Sequence, residues 1–289
     1  MSLPHFFLDE QILSSIETPR FVLRLSSEDR KHFNALRLQV GEHLAVIDAD
    51  ADYFECVVES LSREEVVVSI AQRLESAERP RITLFQGLAK SDKMDTVFRH
   101  ATEVGVRAFV PLECSRSIVK LDSKKKATRA KRWQALIKSA AMQSGQSVMP
   151  HLYDTQTIKD ACDLLASFDA LLIFWEEAPL SATIAKALHP LIERVATKNR
   201  TPSDSSLADS SFANPSADSD ILNGGSTASV NLSVGVVVGP EGGLSSEEVE
   251  MLCSYNTNAH VVTLGPSILR TETAGLLAPS LVMYELERA

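Results

Sequence analysis

The chain of 289 residues has no apolar run near the roughly 18 residues a membrane-crossing helix needs. Its longest apolar runs, 170–175 and 234–238, have only the length of buried strands. Residues 1–5 carry no basic segment leading into an apolar stretch, so no secretory signal is expected. The four cysteines, Cys56, Cys114, Cys162 and Cys253, lie far apart and form no Cys-x-x-Cys pair. That spacing supplies neither a zinc knuckle nor a disulfide frame and fits isolated reduced thiols in a cytoplasmic protein. Several signatures are missing too: Gly-x-Gly-x-x-Gly after the first strand of the α/β part, Gly-x-x-x-x-Gly-Lys-Ser/Thr, His-Glu-x-x-His and Gly-x-Ser-x-Gly. These absences argue against a Rossmann dinucleotide site, a P-loop, a zinc protease and a serine-hydrolase elbow. No metal is expected.

What is present is ordinary in bulk and uneven in detail. Apolar content of 44% and charged content of 23% are those of a soluble globular chain long enough for two cores. The formal net charge of −9 speaks at first against a nucleic-acid partner. Four of the acids, however, fall in 201–231, which has no Lys or Arg. Conversely, Lys120, Lys124, Lys125, Lys126, Arg129, Lys131, Arg132 and Lys138 face Asp122 alone between 120 and 138. A local basic stretch of that kind can dock phosphates on an acidic protein; the plainer reading is a solvated helix face.

Residues 1–75 read as β-rich, with short strands at 21–25, 44–48, 53–59 and 66–70 and one helix over 27–36 capped by Ser26 or Ser27. Closely spaced short strands suggest a small barrel. Residues 75–80, charged and closed by Pro80, read as a linker. From 81 the pattern alternates between strand and helix, as expected of an α/β domain with a mostly parallel sheet. Strands are expected at 82–89, 106–112, 170–175, 234–238 and 261–264. Met94, Val97, Phe98, Ala101 and Val104 form a helical stripe ended by Gly105, and Trp133, Leu136, Ile137, Ala140 and Ala141 another ended near Gly145. Ser245 and Glu248 form a capping box. A last helix is expected over 271–288, with a kink at Pro279. The stretch 197–231, rich in Ser, Asp, Asn and Gly, has too few large apolar residues to pay for ordering and is expected to be a disordered insertion.

Two segments carry the chemistry: Gly239-Pro240-Glu241-Gly242-Gly243-Leu244-Ser245, and Leu264-Gly265-Pro266-Ser267-Ile268-Leu269-Arg270-Thr271-Glu272-Thr273-Ala274. Each follows a β-branched run and leads into a helix. Glycine-rich turns at the carboxyl ends of strands are where open α/β sheets bind ligands, because backbone amides there are unpaired and approachable. Together they suggest one pocket walled by two loops.

At these residues the chain resembles the SPOUT-class methyltransferases, and within them it is similar to the bacterial 16S rRNA (uracil-N3)-methyltransferases. Lys90-x-Asp92-Lys93-Met94-Asp95, Ala101-Thr102-Glu103-Val104-Gly105-Val106 and Gln143-Ser144-Gly145 with Pro150 match the same family. Leu36-Arg37 followed by Val40-Gly41 resembles its PUA-like RNA-binding domain. The resemblance spans nearly the whole chain outside 197–231. It implies a PUA-like barrel over 1–75, a trefoil-knotted SPOUT domain over 81–289, S-adenosylmethionine (S-adenosyl-L-methionine) as cofactor, and a homodimer acting on 16S rRNA of the small ribosomal subunit. The cofactor-binding residues it implies are Gly239, Glu241, Gly242, Gly243, Leu264, Gly265, Ile268, Leu269 and Thr273. Arg37, Lys90, Lys93, Arg116, Lys120 and Arg132 are the candidate RNA contacts. The chain departs from the family where it has Gln146 after Gln-Ser-Gly, Ser267 before Ile-Leu-Arg, His5 before the Phe pair, and Lys31-His32 for a His pair.

For that chemistry Arg270 and Glu272 are the candidate catalytic residues. N3 of uracil carries a proton at neutral pH, so methylation there needs proton removal or stabilisation of charge developing on O2 and O4. Arg270 can supply a cation for those oxygens, and Glu272 can accept the proton or orient Arg270. The plainer reading of the pair is an ion pair at a helix start. Two rivals stay open at this point: a related methyltransferase acting on tRNA or another rRNA nucleotide, and a non-catalytic RNA-binding assembly factor on the same scaffold.

Overall fold

The computed structural model describes residues 3–14, 20–62, 64–199 and 231–288. The first sheet is made of β1 (His5–Phe7), β2 (Arg20–Val22), β3 (His43–Ile47), β4 (Tyr53–Leu61) and β5 (Val66–Leu74), with helix α1 (Ser27–Leu36) between β2 and β3. Its order is β1-β3-β4-β5-β2, with β1 parallel to β3 and the other pairs antiparallel. Among the described residues no ladder joins β1 to β2, so the expected small barrel stands here as a five-stranded sheet around one apolar cluster. The sequence reading missed β1, whose three residues are all buried and too few to show alternation. Helix α1 starts where Ser26 accepts the Asp29 amide and stops at Arg37, whose backbone is left-handed at φ 54°.

Residues 75–80 have no regular structure. Beyond them come β6 (Arg81–Gly87), α2 (Ser91–Val104), β7 (Ala108–Glu113), α3 (Ser123–Ser144), β8 (His151–Leu152), β9 (Gln156–Thr157) and α4 (Cys162–Ala166). Then follow β10 (Ala170–Phe174), α5 (Ile184–Asn199), β11 (Ser233–Val238), α6 (Ser246–Tyr255), β12 (Ala259–Val262) and α7 (Thr271–Glu287). Strand order is β12-β10-β11-β6-β7-β8, with β9 also on β7, and every pair is parallel.

The parallel sheet is buried on both faces, which is why its strands read as continuous apolar runs. In β10, Ala170, Leu172 and Phe174 enter one apolar cluster while Leu171 and Ile173 enter the other. Val234, Val236 and Val238 of β11 likewise face away from Val237. Helix α2 ends at Gly105 and α3 at Gly145, both left-handed, as the sequence spacing predicts. Residues 197–199, expected to begin the insertion, are the last turn of α5; the insertion's remainder from 200 to 230 lies outside the described residues.

Helix α3 joins the two sheets. Trp133 and Ile137 pack in the core of the parallel sheet, whereas Ala141 and Met142, one turn on, pack with Phe6, Phe7 and their neighbours. Lys138 sits between these two sets and pairs with Asp9 at 3.0 Å and Asp29 at 2.9 Å. His5, which stands where the family resemblance expects Arg, is buried beside Gly145 and bonds the Leu3 carbonyl and the Tyr53 hydroxyl. Burial pushes its imidazole below the ordinary value, against the opposing pull of the Leu3 carbonyl.

Candidate active site

The carboxyl ends of β10, β11 and β12 open onto one cleft of about 490 Å³. Its walls are the turn 239–243 after β11, the loop 263–271 after β12, and Trp175 and Glu176 after β10, with Lys93 reaching in from α2. Backbone geometry shapes the first wall. The Gly243 amide donates to the Pro240 carbonyl at 2.9 Å, and Gly243 has φ +69°. A Cβ there would also lie 2.0 Å from Glu176 Oε1, so only glycine fits this position without displacing that carboxylate. The turn runs straight into α6, whose start is the expected capping box between Ser245 and Glu248. Arg116 props the turn from behind, donating to the Gly242 and Leu244 carbonyls at 3.3 and 3.2 Å.

Two side chains fasten this turn to the start of α7: Thr271, part of the second motif, and Gln86, which the sequence reading did not single out. Gln86, fully buried at the end of β6, donates through Nε2 to Thr271 Oγ1 at 2.9 Å and to the Gly87 and Gly239 carbonyls at 3.2 and 3.4 Å. Thr271 Oγ1 in turn donates to the Gly239 carbonyl at 2.7 Å. Three oxygens around Nε2 fix the amide's orientation, because a flipped amide would set its own oxygen against two carbonyls. The cost is an Oε1 buried against Gly275 without a hydrogen-bond partner. A lone Gln in an apolar strand run gives no sequence signal of such a role.

Lys93 links Glu241, which lines the cleft, to Glu272, which does not. Lys93 Nζ lies 3.4 Å from Glu241 Oε1 and 3.2 Å from Glu272 Oε2. Glu272 Oε2 faces that ammonium as an ion-pair partner without hydrogen-bond alignment, and Glu241 Oε2 is likewise buried without a hydrogen bond. Burial opposes the charge on Lys93, but Glu272 and Glu241 outweigh it and hold the ammonium above its ordinary range. For Glu241, burial pushes upward, and the Lys90 amide, its own amide and Lys93 together bring it below the usual carboxylate range. Arg270 stands at the cleft's rim with its side chain 82% exposed and its Nη1 4.0 Å from Glu272 Oε1.

Of the expected cofactor residues, Gly239, Glu241, Gly242, Gly243, Leu264, Gly265, Ile268 and Leu269 line this one cleft, Ile268 with 89% of its surface exposed. Thr273 does not line it and is exposed on the first turn of α7. The expected RNA contacts scatter. Arg37, Lys90 and Lys120 are exposed, Arg132 is paired with Asp95, Arg116 braces the turn, and Lys93 lies inside the site. Chemically, the arrangement offers backbone donors and acceptors from three loops, carboxylates that suit a cationic ligand, and an exposed guanidinium at the mouth where an anion can be met.

The chain matches the RNA methyltransferase domain family over residues 77–201 and 206–283. It is 30% identical over 276 residues to the ribosomal RNA small subunit methyltransferase E of Bacillus subtilis, covering 94% of this chain and 92% of that protein. A solved structure of a hypothetical protein superposes with a TM-score of 0.71 at 27% identity, covering 98% and 99% of the two chains. The ribosomal RNA small subunit methyltransferase E of Neisseria gonorrhoeae, solved bound to S-adenosyl methionine, shares the fold with a TM-score of 0.67 at 24% identity, covering 98% and 97%.

Proposed function

This chain belongs to the RNA methyltransferase domain family, and from that premise we propose that it methylates N3 of one uridine in the 16S rRNA of the small ribosomal subunit, with S-adenosylmethionine as donor. The observation that carries this reading is the meeting of the turn 239–243 and the loop 263–271 around one cleft with Arg270 at its rim. A cleft of about 490 Å³ falls within the size range of cofactor sites. Its backbone groups suit a base and ribose, and Glu241 and Glu176 suit the positive charges of the donor.

When bound, the donor supplies an electrophilic methyl on a sulfonium. The protein's part is then to hold the uracil edge-on and manage one proton. Arg270 offsets the charge that develops on O2 and O4 as the proton leaves N3, charge that is neutralised when the N3–carbon bond forms and the carbon–sulfur bond breaks. Glu272 takes the N3 proton. The first sheet, with Arg37 exposed at the end of α1, and the exposed Lys120 position the RNA through phosphate and shape contacts. In this reading the first sheet is the PUA-like unit and the parallel sheet the trefoil-knotted one, working in the cytoplasm. The active unit is a homodimer, supported by Leu277, Leu281 and Tyr284, which leave an apolar stripe exposed along α7.

The test is to incubate the protein with labelled S-adenosylmethionine and small subunits from a strain lacking its gene, then seek N3-methyluridine in the digested rRNA by mass spectrometry. Its appearance is expected. No product from protein that binds the cofactor would turn the reading toward another RNA target or a non-catalytic role. Arg270→Ala should abolish transfer while leaving cofactor affinity within about threefold, since an exposed rim group adds little to binding; turnover like the wild type would remove Arg270 from the mechanism.

A further inference from the structure

Helix α2 begins without a cap of its own: Lys90 at the N-cap makes no side-chain hydrogen bond to the first turn. An acceptor for the N-cap residue's own amide comes instead from far along the chain. Glu241 Oε1, on the turn after β11, accepts the Lys90 amide at 3.1 Å. A carboxylate at a helix N-terminus is stabilised by the unpaired amides and the helix dipole, so Glu241 is held by α2 as much as it caps α2. One turn further, Lys93 returns from the same helix to the same carboxylate and continues to Glu272 on α7. The Lys93 side chain is 23% exposed and its two partners 18% and 21%, whereas Arg270, the other cation near Glu272, is 82% exposed at 4.0 Å. Solvent screens the Arg270 contact far more than the Lys93 contacts.

We infer that Lys93 is a positioning residue for methyl transfer: its ammonium ties Glu241 of the cofactor turn to Glu272 of α7, so the walls that receive donor and base are held in one register. This inference deepens the proposed reaction and rests on it for the role of Glu272. It also moves Lys93 away from the phosphate contact that the sequence suggested. The tie is charged throughout the neutral range, because Lys93 titrates above and Glu241 below their ordinary values. The charged groups around it are Glu241 and Glu272, with Arg270 beside Glu272 and Glu176 lining the same cleft. Without Lys93, Arg270 would be the one cation left among the described residues that line the cleft, facing Glu176 and Glu241 there and Glu272 beside it.

The test uses the full chain. Lys93→Met should lower kcat on small subunits about 10- to 100-fold, the scale expected of a misplaced reacting group, with the subunit KM and its salt dependence unchanged. Lys93→Arg should recover most of the loss. Glu241→Gln should lower kcat as well, and the double variant Lys93→Met/Glu241→Gln should be little worse than the worse single one, because both break one tie. A salt-dependent rise in subunit KM with unchanged kcat would make Lys93 an RNA contact and overturn the inference; so would additive losses. A second arm does not need turnover. The 15N signal of the Lys93 ammonium should be visible at neutral pH in the wild type and broaden away in Glu272→Gln; a signal indifferent to Glu272 would overturn the inference even if the RNA target proved to be a different one.

Discussion

At the scale of single residues, the site is built from groups whose partners lie far off in sequence, and this sets what one substitution can do. Gln86→Leu keeps the volume of a fully buried side chain but removes the donor shared by Thr271 and the Gly87 and Gly239 carbonyls. Leaving such groups unpaired costs about 1–3 kcal/mol, offset in part by removing the unpartnered Oε1. The urea midpoint should fall, and S-adenosylmethionine should bind more weakly because the turn 239–243 loses its fastening to α7. An unchanged midpoint together with unchanged affinity would show that Thr271 alone holds the turn. The same long reach explains which residues the sequence could not reveal. The glycines and Arg270 were legible because their motif is contiguous, whereas Lys93 read as an RNA contact because its partners Glu241 and Glu272 enter from the turn after β11 and from the start of α7. Arg132 read as free for phosphate because nothing adjacent in sequence announces Asp95 as its partner.

At the scale of elements, boundaries written in local chemistry were readable and those written by tertiary partners were not. The start of α6 is the clearest case, since Ser245 and Glu248 satisfy each other's amides within four residues. Ser245→Ala should cost about 1 kcal/mol in urea unfolding, the usual worth of an N-cap. Glu248→Ala should cost more, because Glu248 Oε1 also accepts the Ser115 amide at 2.6 Å from the loop after β7. Equal losses for the two would mean that the Ser115 contact contributes nothing. Gly105 and Gly145 marked the ends of α2 and α3 for the same local reason, a left-handed residue that glycine adopts freely. By contrast β8, β9 and α4, of two to five residues, are too short to carry a period. Helix α5 hid behind Pro190 inside it. The cap of α2 was invisible because Glu241 is 151 residues from the amide it accepts.

At the scale of the whole molecule, the alternating pattern from 81 onward was enough to announce a parallel sheet, but composition could not say how the two sheets meet or which faces stay bare. The stripe of Leu277, Leu281 and Tyr284 is the largest consequence still to be tested. Leu281→Asp should convert a dimer to a monomer in light scattering and reduce transfer with it. If the face is solvent-exposed in solution, the change should shift stability by no more than about 0.5 kcal/mol and leave the mass unaltered. The charge distribution also looks different once folded. Lys126 is paired with Glu113, Arg132 with Asp95, and Lys138 with Asp9 and Asp29, so the basic stretch presents far less free charge than its sequence suggests. Helix α3, whose 22 residues span about 33 Å, packs only from Trp133 onward, with Trp133 and Ile137 in one apolar core and Ala141 and Met142 in the other. A chimera joined at residues 75–80 would therefore leave Ala141 and Met142 against a foreign surface. The piece that relatives could exchange intact is the first sheet together with the last turn of α3, a unit that is continuous in space and broken in the gene.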